Sequence, residues 1–145
     1  MSGTTDNATG GCMCGAVRFR GTGAPLRVGL CHCETCRRNT GSSFLAFAVF
    51  PRGRFAVERG ATAYFQSSPE GRRHFCAACG SPLFSEWTDT ESFDVYLGAL
   101  DAPHAVTPRY ELLWGGRAPW LPEIPGLECF ERNLPAEIIE AGGAP

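Results

Sequence analysis

Seven of the eight cysteines in this chain fall into three tight groups, and that grouping restricts the possible folds more than any other feature. The groups are Cys12-Met13-Cys14, Cys31-His32-Cys33-Glu34-Thr35-Cys36 and Cys76-Ala77-Ala78-Cys79, with Cys129 standing apart. Disulfide scaffolds and thiolate metal sites both use such groups. The first ten residues, MSGTTDNATG, have neither the basic start nor the apolar stretch of a secretory leader. The expected setting is therefore the reducing cytoplasm, where lasting disulfides are rare, and metal is the expected use. Residues two apart on a strand face the same way, so Cys12 and Cys14 can offer two thiolates to one ion. A CxxC turn does the same for Cys76 and Cys79, and Gly80 supplies a residue that tolerates positive φ.

Thiolate-rich tetrahedral sites select zinc or iron–sulfur clusters, and zinc is the expected ion. Cys12, Cys14, Cys76 and Cys79 would form a closed structural site. Cys31, Cys33 and Cys36 would then form a three-ligand set, the arrangement by which catalytic zinc keeps an open position. Spacing alone also allows Cys31 and Cys33 to join Cys76 and Cys79. Either way, seven clustered cysteines leave one site with three. Cys129 is the first candidate to close that site, ahead of His32, His74 and His104, although a cysteine so placed is more often a small buried hydrophobe. His32, between two ligands on an expected strand, should turn its ring away from the ion. His74, two before Cys76, would support the structural site from behind.

A length of 145 residues fits one domain, and 43% hydrophobic against 19% charged residues can build a core. The run Phe44 to Phe50 falls far short of the ~18–20 residues of a membrane helix. A net charge of −2 and a pI near 5.9 argue against nucleic-acid and acidic-membrane partners. All 13 basic residues are arginine, which excludes lysine Schiff-base chemistry. Eighteen glycines and eleven prolines leave little room for long helices. Strands are expected at Ala16 to Arg20, Ser43 to Phe50, Arg54 to Glu58, Ala61 to Gln66, Arg72 to Phe75, Pro82 to Glu86, Phe93 to Leu97 and Arg109 to Leu113. Leu134 to Glu140 reads as the one short helix. The expectation is an all-β domain over residues 10–140, with frayed tails at 1–9 and 141–145.

The runs GGCMCGAVRF (Gly10 to Phe19), CHCETCRRNTGSSF (Cys31 to Phe44) and RRHFCAACGSPLF (Arg72 to Phe84) resemble those of the glutathione-dependent formaldehyde-activating enzyme family, which includes centromere protein V. YLGALDAP (Tyr96 to Pro103) and LLWGGRAPW (Leu112 to Trp120) are similar to its later pattern. The resemblance implies a zinc-stapled, β-tent-like fold shared with methionine sulfoxide reductase B. It implies that Cys12, Cys14, Cys76 and Cys79 hold a structural zinc and that Cys31, Cys33 and Cys36 hold a catalytic one, two Zn²⁺ per chain. The activity it implies is that of a carbon–sulfur lyase acting on thiol adducts such as S-hydroxymethylglutathione.

Arg37 and Arg38, directly after the last ligand, are candidates for a carboxylate of a glutathione-like substrate. Thr40, in the run Asn39 to Ser43, offers a hydroxyl near the ion, and Trp114 and Trp120 are candidate pocket walls although such aromatics are more often core. No general base is identifiable. Two other classes fit the same cysteines: a zinc-stapled protein-binding module, and a thiol redox protein using Cys31, Cys33 and Cys36 without metal. An exposed edge strand leaves a homodimer open.

Overall fold

The computed structural model describes residues 7–145. Its elements form two sheets and two short helices. The smaller sheet is antiparallel and joins β1 (Ala8–Gly11), β2 (Arg18–Gly21) and β5 (Phe55–Arg59). The larger has eight strands: in spatial order β11 (Glu128–Cys129), β10 (Tyr110–Leu112), β3 (Arg27–Cys31), β4 (Leu45–Pro51), β9 (Ser92–Tyr96), β8 (Pro82–Trp87), β7 (Gly71–Cys76) and β6 (Thr62–Gln66). Helix α1 (Glu34–Thr40) links β3 to β4, and α2 (Ala136–Glu140) lies near the C-terminus. The expected all-β domain of short strands is what the chain forms. No helix among the described residues is long and apolar enough to cross a membrane.

Strand β4 explains the layering. Its apolar run is buried on both faces, as a strand near the middle of a covered sheet requires. Ala48 and Phe50 point to one side, where Phe19, Phe55, Phe84, Phe93 and Val95 fill the core. Phe55 meets Phe84 edge-on with ring centroids 4.9 Å apart, the geometry that aromatic quadrupoles favour. Leu45, Phe47 and Val49 point to the other side, against Tyr96, Tyr110, Leu112 and Leu134. That second face carries the cavity described below.

The expected strands are present with ends shifted by a residue or two, and the expected C-terminal helix starts two residues late at Ala136. Among the strands and α-helices, β1, α1 and β11 were not expected, and the strand expected around His32 is β3, which ends at Cys31 one residue before it; each hides its signal for a physical reason. Strand β1 reads ATGG because the chain runs tight there: a Cβ on Gly10 would come within 2.3 Å of the Ala99 carbonyl oxygen. Strand β3 carries Gly29 at its centre because the Tyr110 ring lies over it, 2.5 Å from where a Cβ would be. Helix α1 is capped by a sulfur, the Cys33 thiol accepting from the Cys36 N–H at 3.2 Å, in place of the usual Ser, Thr, Asp or Asn. Its end is conventional, with Gly41 left-handed at φ 71° and its N–H donating to the Arg37 carbonyl. Strand β11 is two residues long and pairs in parallel with β10. Of the expected N-terminal tail, residues 1–6 lie outside the described residues, while Ala8 and Thr9 are paired with Gly21 and Arg20. At the other end the Gly143 carbonyl accepts from the Arg27 guanidinium at 3.2 Å.

Candidate metal centres and active-site cavity

The thiols of Cys12, Cys14, Cys76 and Cys79 all lie within 4.8 Å of one another. This is the first of the two pairings that spacing allowed. A tetrahedral site with Zn–S near ~2.3 Å places its sulfurs about 3.8 Å apart. The Cys12–Cys14 and Cys14–Cys76 separations, 3.5 and 3.8 Å, match that closely, so the donor set fits zinc. The CxC pair, expected on a strand, sits in the turn after β1, which Gly15 enters at φ 81°. The CxxC turn is as expected: Gly80 has φ 78° and donates to the Cys76 carbonyl at 2.8 Å. Backbone and hydroxyl groups favour the thiolate at two of the four, whereas Cys14, despite the Ala16 backbone hydrogen bond, is pushed up to about 11 by its contacts with Cys12 and Cys79. The Val17 N–H, 3.2 Å from its sulfur, holds the Cys12 thiol below its ordinary range, and Ser81 holds Cys79 near about 5.

Cys31, Cys33 and Cys36 form a second cluster, again within 4.8 Å. Cys31 ends β3, Cys33 caps α1, and Cys36 sits on its inner face, so one strand-to-helix junction positions all three. Hydrogen bonds from Cys31 and then Cys36 pull the Cys33 thiol far down, while the same contact pushes Cys31 up. Three crowded sulfurs can all ionise only around a cation, and this soft donor set also fits zinc. Among the described residues no fourth His, Cys, Asp or Glu joins them. Cys129 neither closes the cluster nor is buried; its exposed thiol donates to Glu111 at 3.6 Å. The His32 ring turns away as expected and pairs with buried Glu111 through Nε2 at 2.8 Å. The expected support from His74 is not found: its ring reaches sideways to Thr62 at 2.6 Å and Glu86 at 2.9 Å, so both nitrogens are engaged. His104 is exposed in a short turn.

These three thiols line one end of a cavity of about 340 Å³, within the size range of small-molecule sites. Strand register builds its floor. Arg27 stands opposite Val49, Val49 opposite Asp94, Asp94 opposite Ser85 and Ser85 opposite Arg73. Leu45, Phe47 and Leu112 form apolar wall, and Leu134 and Ile139 reach over from the C-terminal segment. Arg73 is the charged group nearest the sulfurs, its Nη1 donating to Cys36 Sγ at 3.8 Å. It is buried, donates to Ser67 and Ser85 at 3.0 Å each, and lies over the Trp87 ring at 5.2 Å. Ser85 in turn bonds the Tyr96 hydroxyl at 2.6 Å, which accepts from Asn39 of α1.

The comparisons with known proteins agree with this geometry. The model of the glutathione-dependent formaldehyde-activating enzyme family matches residues 7–116. The chain belongs to this family. A Halomonas elongata protein provisionally named as a glutathione-dependent formaldehyde-activating enzyme is 35% identical over 145 residues, covering 90% of each chain. An uncharacterized lyase of Schizosaccharomyces pombe is 31% identical over 80 residues, and the match spans 55% of this chain and 58% of that protein. A crystal structure of a Rhodobacter sphaeroides protein superposes with a TM-score of 0.55 at 26% identity, over 69% of this chain and 91% of that one.

The substrate-binding residues expected from sequence lie elsewhere. Arg37 and Arg38 are on the exposed side of α1, Arg38 pairing with Glu34 at 3.4 Å. Thr40 bonds its own helix through the Cys36 carbonyl and faces a different hollow, beside Cys12 and Ser42. Trp114 packs edge-on behind His32, with Arg117 over its ring at 4.6 Å, and Trp120 is 70% exposed. The cavity instead takes Arg27, Arg73, Arg132, Trp87, Asp94 and Tyr110, none of which carried a spacing signal. Arg73 becomes visible only through its burial on β7, three residues before Cys76.

Proposed function

We propose that this chain is a zinc-dependent carbon–sulfur lyase, acting on thiol adducts such as S-hydroxymethylglutathione. The supporting observation is the unequal pair of thiol clusters: four sulfurs in one, and three at the end of a cavity in the other. Cys12, Cys14, Cys76 and Cys79 would hold a structural zinc, and Cys31, Cys33 and Cys36 a catalytic one. Zinc at the second cluster would supply an open coordination position that suits a further sulfur and keeps it ionised at neutral pH. The reaction is the reversible addition of a thiolate sulfur to an aldehyde carbon. In the forward direction the thiol loses its proton to water, the C–S bond forms as the C=O π bond opens, and the oxygen takes a proton back from water; in reverse the hydroxyl loses its proton to water, the C=O bond re-forms, and the C–S bond breaks to release the thiolate.

The chain's own residues prepare that chemistry. Cys31, Cys33 and Cys36 gather negative charge where the substrate sulfur would arrive. Arg73, held by Ser67, Ser85 and the Trp87 face, offsets part of that charge from 3.8 Å away. Leu45, Phe47 and Leu112 keep the floor apolar and favour the sulfur end of a substrate over water. The test is zinc per chain in anaerobically purified protein, followed by glutathione titration with thiol release from S-hydroxymethylglutathione as readout. Two zincs, with one perturbed by glutathione and the adduct cleaved, is the expected result. One zinc with oxidisable thiols at Cys31, Cys33 and Cys36 would overturn the lyase reading in favour of redox chemistry, and two zincs indifferent to thiols would favour a binding module.

A further inference from the structure

The cavity has a second polar centre away from the sulfurs. On β3, Cys31 and Arg27 are four residues apart, about 13 Å at ~3.3 Å per residue. Asp94 shares the Arg27 end, two strands across through Val49. Among the described residues its carboxylate has one side-chain partner, the Trp87 indole N–H at 2.8 Å, and no arginine or histidine within ion-pair distance. A cavity carboxylate that Arg27 and Arg73 influence but do not contact is an expensive arrangement to keep. The Tyr110 hydroxyl makes a second observation. Tyr110 is fully buried, its ring lies over Gly29, and among the described residues its hydroxyl makes no hydrogen bond of good geometry, with the Arg27 guanidinium its nearest candidate donor. Tyr110 stands opposite Gly29, two residues from Arg27 on β3, and lines the same cavity as Arg27 and Asp94.

We infer that this end of the cavity recognises the free amino-acid head of a thiol substrate, with Asp94 as counter-charge to its α-ammonium and Arg27 and the Tyr110 hydroxyl taking the adjoining carboxylate. The inference rests on the proposal that the substrate sulfur sits at Cys31, Cys33 and Cys36, and adds which other group the substrate must carry. The span agrees with it. The γ-glutamyl arm of glutathione puts eight bonds, about 10 Å when extended, between sulfur and α-nitrogen, and the cysteine, Arg27 and Asp94 side chains that line the cavity shorten the backbone span to that reach. A shorter thiol held at the sulfur end would leave the carboxylate without its partner. Burial holds Asp94 up to about 6, so at neutral pH it is mostly ionised and available to an ammonium. The groups facing it are Arg27 on β3, Arg73 on β7 and Tyr110 on β10, with Asp89 and Arg132 lining the same cavity.

The experiment is calorimetric titration of the zinc-loaded full chain with glutathione and with N-acetylglutathione, whose amine is blocked, in the wild type and in Asp94→Asn. Acetylation should weaken binding to the wild type by roughly 10–100-fold, the worth of a charged hydrogen bond. In Asp94→Asn the two ligands should bind alike, both near the affinity of wild type for N-acetylglutathione. Equal binding of the two ligands by the wild type would overturn the assignment and leave the thiol reading intact; this arm needs no variant to fold. Parallel loss of both ligands in Asp94→Asn would also overturn it, since a structural role would do that. If neither ligand binds the zinc-loaded wild type, the thiol reading falls and this inference with it.

Discussion

The two thiol clusters use the same side chain for opposite ends, and the contrast lies in how much chain each one closes. Cys14 and Cys76 meet across 62 residues, so the four-sulfur cluster ties the turn after β1 to the turn after β7 and joins the two sheets. Cys31, Cys33 and Cys36 span six residues at a single strand-to-helix junction. Loop-closure entropy grows with the length closed, so an ion in the first cluster constrains the unfolded chain far more than one in the second. The surroundings differ too. Ser81 and the Val17 N–H each bond one sulfur of the first cluster, whereas the second faces a cavity where Arg73 contacts Cys36. On the proposed reading, the closed, long-range cluster stabilises the fold and the local cluster, open on one side, does the chemistry.

The largest effect should come from breaking the long-range cluster. Cys76→Ser removes a fully buried sulfur from the four-thiol set and should cost several kcal/mol, since structural zinc binding is itself folding free energy. Denaturant unfolding checks this, and a variant unfolding within about 1 kcal/mol of wild type would erase the distinction drawn here. The mirror experiment is Cys33→Ser. Serine keeps an oxygen to cap α1, so the fold should survive with Tm near that of wild type. Turnover should fall by more than the ~10–100-fold typical of losing a ligand's outer partner, with loss of about one zinc per chain by atomic absorption. Unfolding of Cys33→Ser comparable to that of Cys76→Ser would make both clusters structural.

The same contrast explains how much was legible in the sequence. Cys12/Cys14, Cys76/Cys79 and Cys31/Cys33/Cys36 each announce themselves by local spacing, and the apolar run of β4 announces a covered sheet. Cavity residues do not. Arg27, Arg73, Asp94 and Tyr110 are single positions on four strands, and only the register through Val49 and Ser85, with Tyr110 set opposite Gly29, brings them to one cavity. Proximity in sequence does not by itself bring a residue to the cavity, for the same reason. Arg37 and Arg38 adjoin Cys36, but each helical residue turns about 100°, so with Cys36 facing in they face out. Seeing this needed α1, and its start was concealed because a cysteine performs the capping.

Arg73 tests whether the open cluster depends on its neighbour. Arg73→Lys keeps the charge but loses the planar fork that spans Ser67, Ser85 and Cys36. Turnover should fall by about 10–100-fold with zinc content unchanged, read as kcat against KM beside metal analysis. Arg73→Met should lose more. If Arg73→Met cleaves adduct as fast as wild type, the guanidinium is a packing device and the open cluster acts alone.

The smallest effect concerns stability at the far end of the cavity. Burial raises Asp94 from 3.8 to about 6, so between those values the folded chain holds a proton that the unfolded chain releases. Stability from this group is therefore full below about pH 4 and is lost as pH rises through about 6. The cavity is open to water, so the effect at neutral pH is nearer 1 kcal/mol than the ~2.7 kcal/mol that two full units would give. Asp94→Asn removes the ionisable group while keeping an acceptor for Trp87. It should melt roughly 2–4 °C above wild type at pH 8, with the difference closing towards pH 4. Comparing variant and wild type at each pH cancels the titration of the thiol clusters, which both proteins share. Saturating glutathione should shrink the difference at pH 8, because an ammonium on Asp94 supplies the counter-charge that the bare cavity lacks. A constant difference across the pH range would place the gain in packing rather than in ionisation, and would remove the reason for a cation at that end of the cavity.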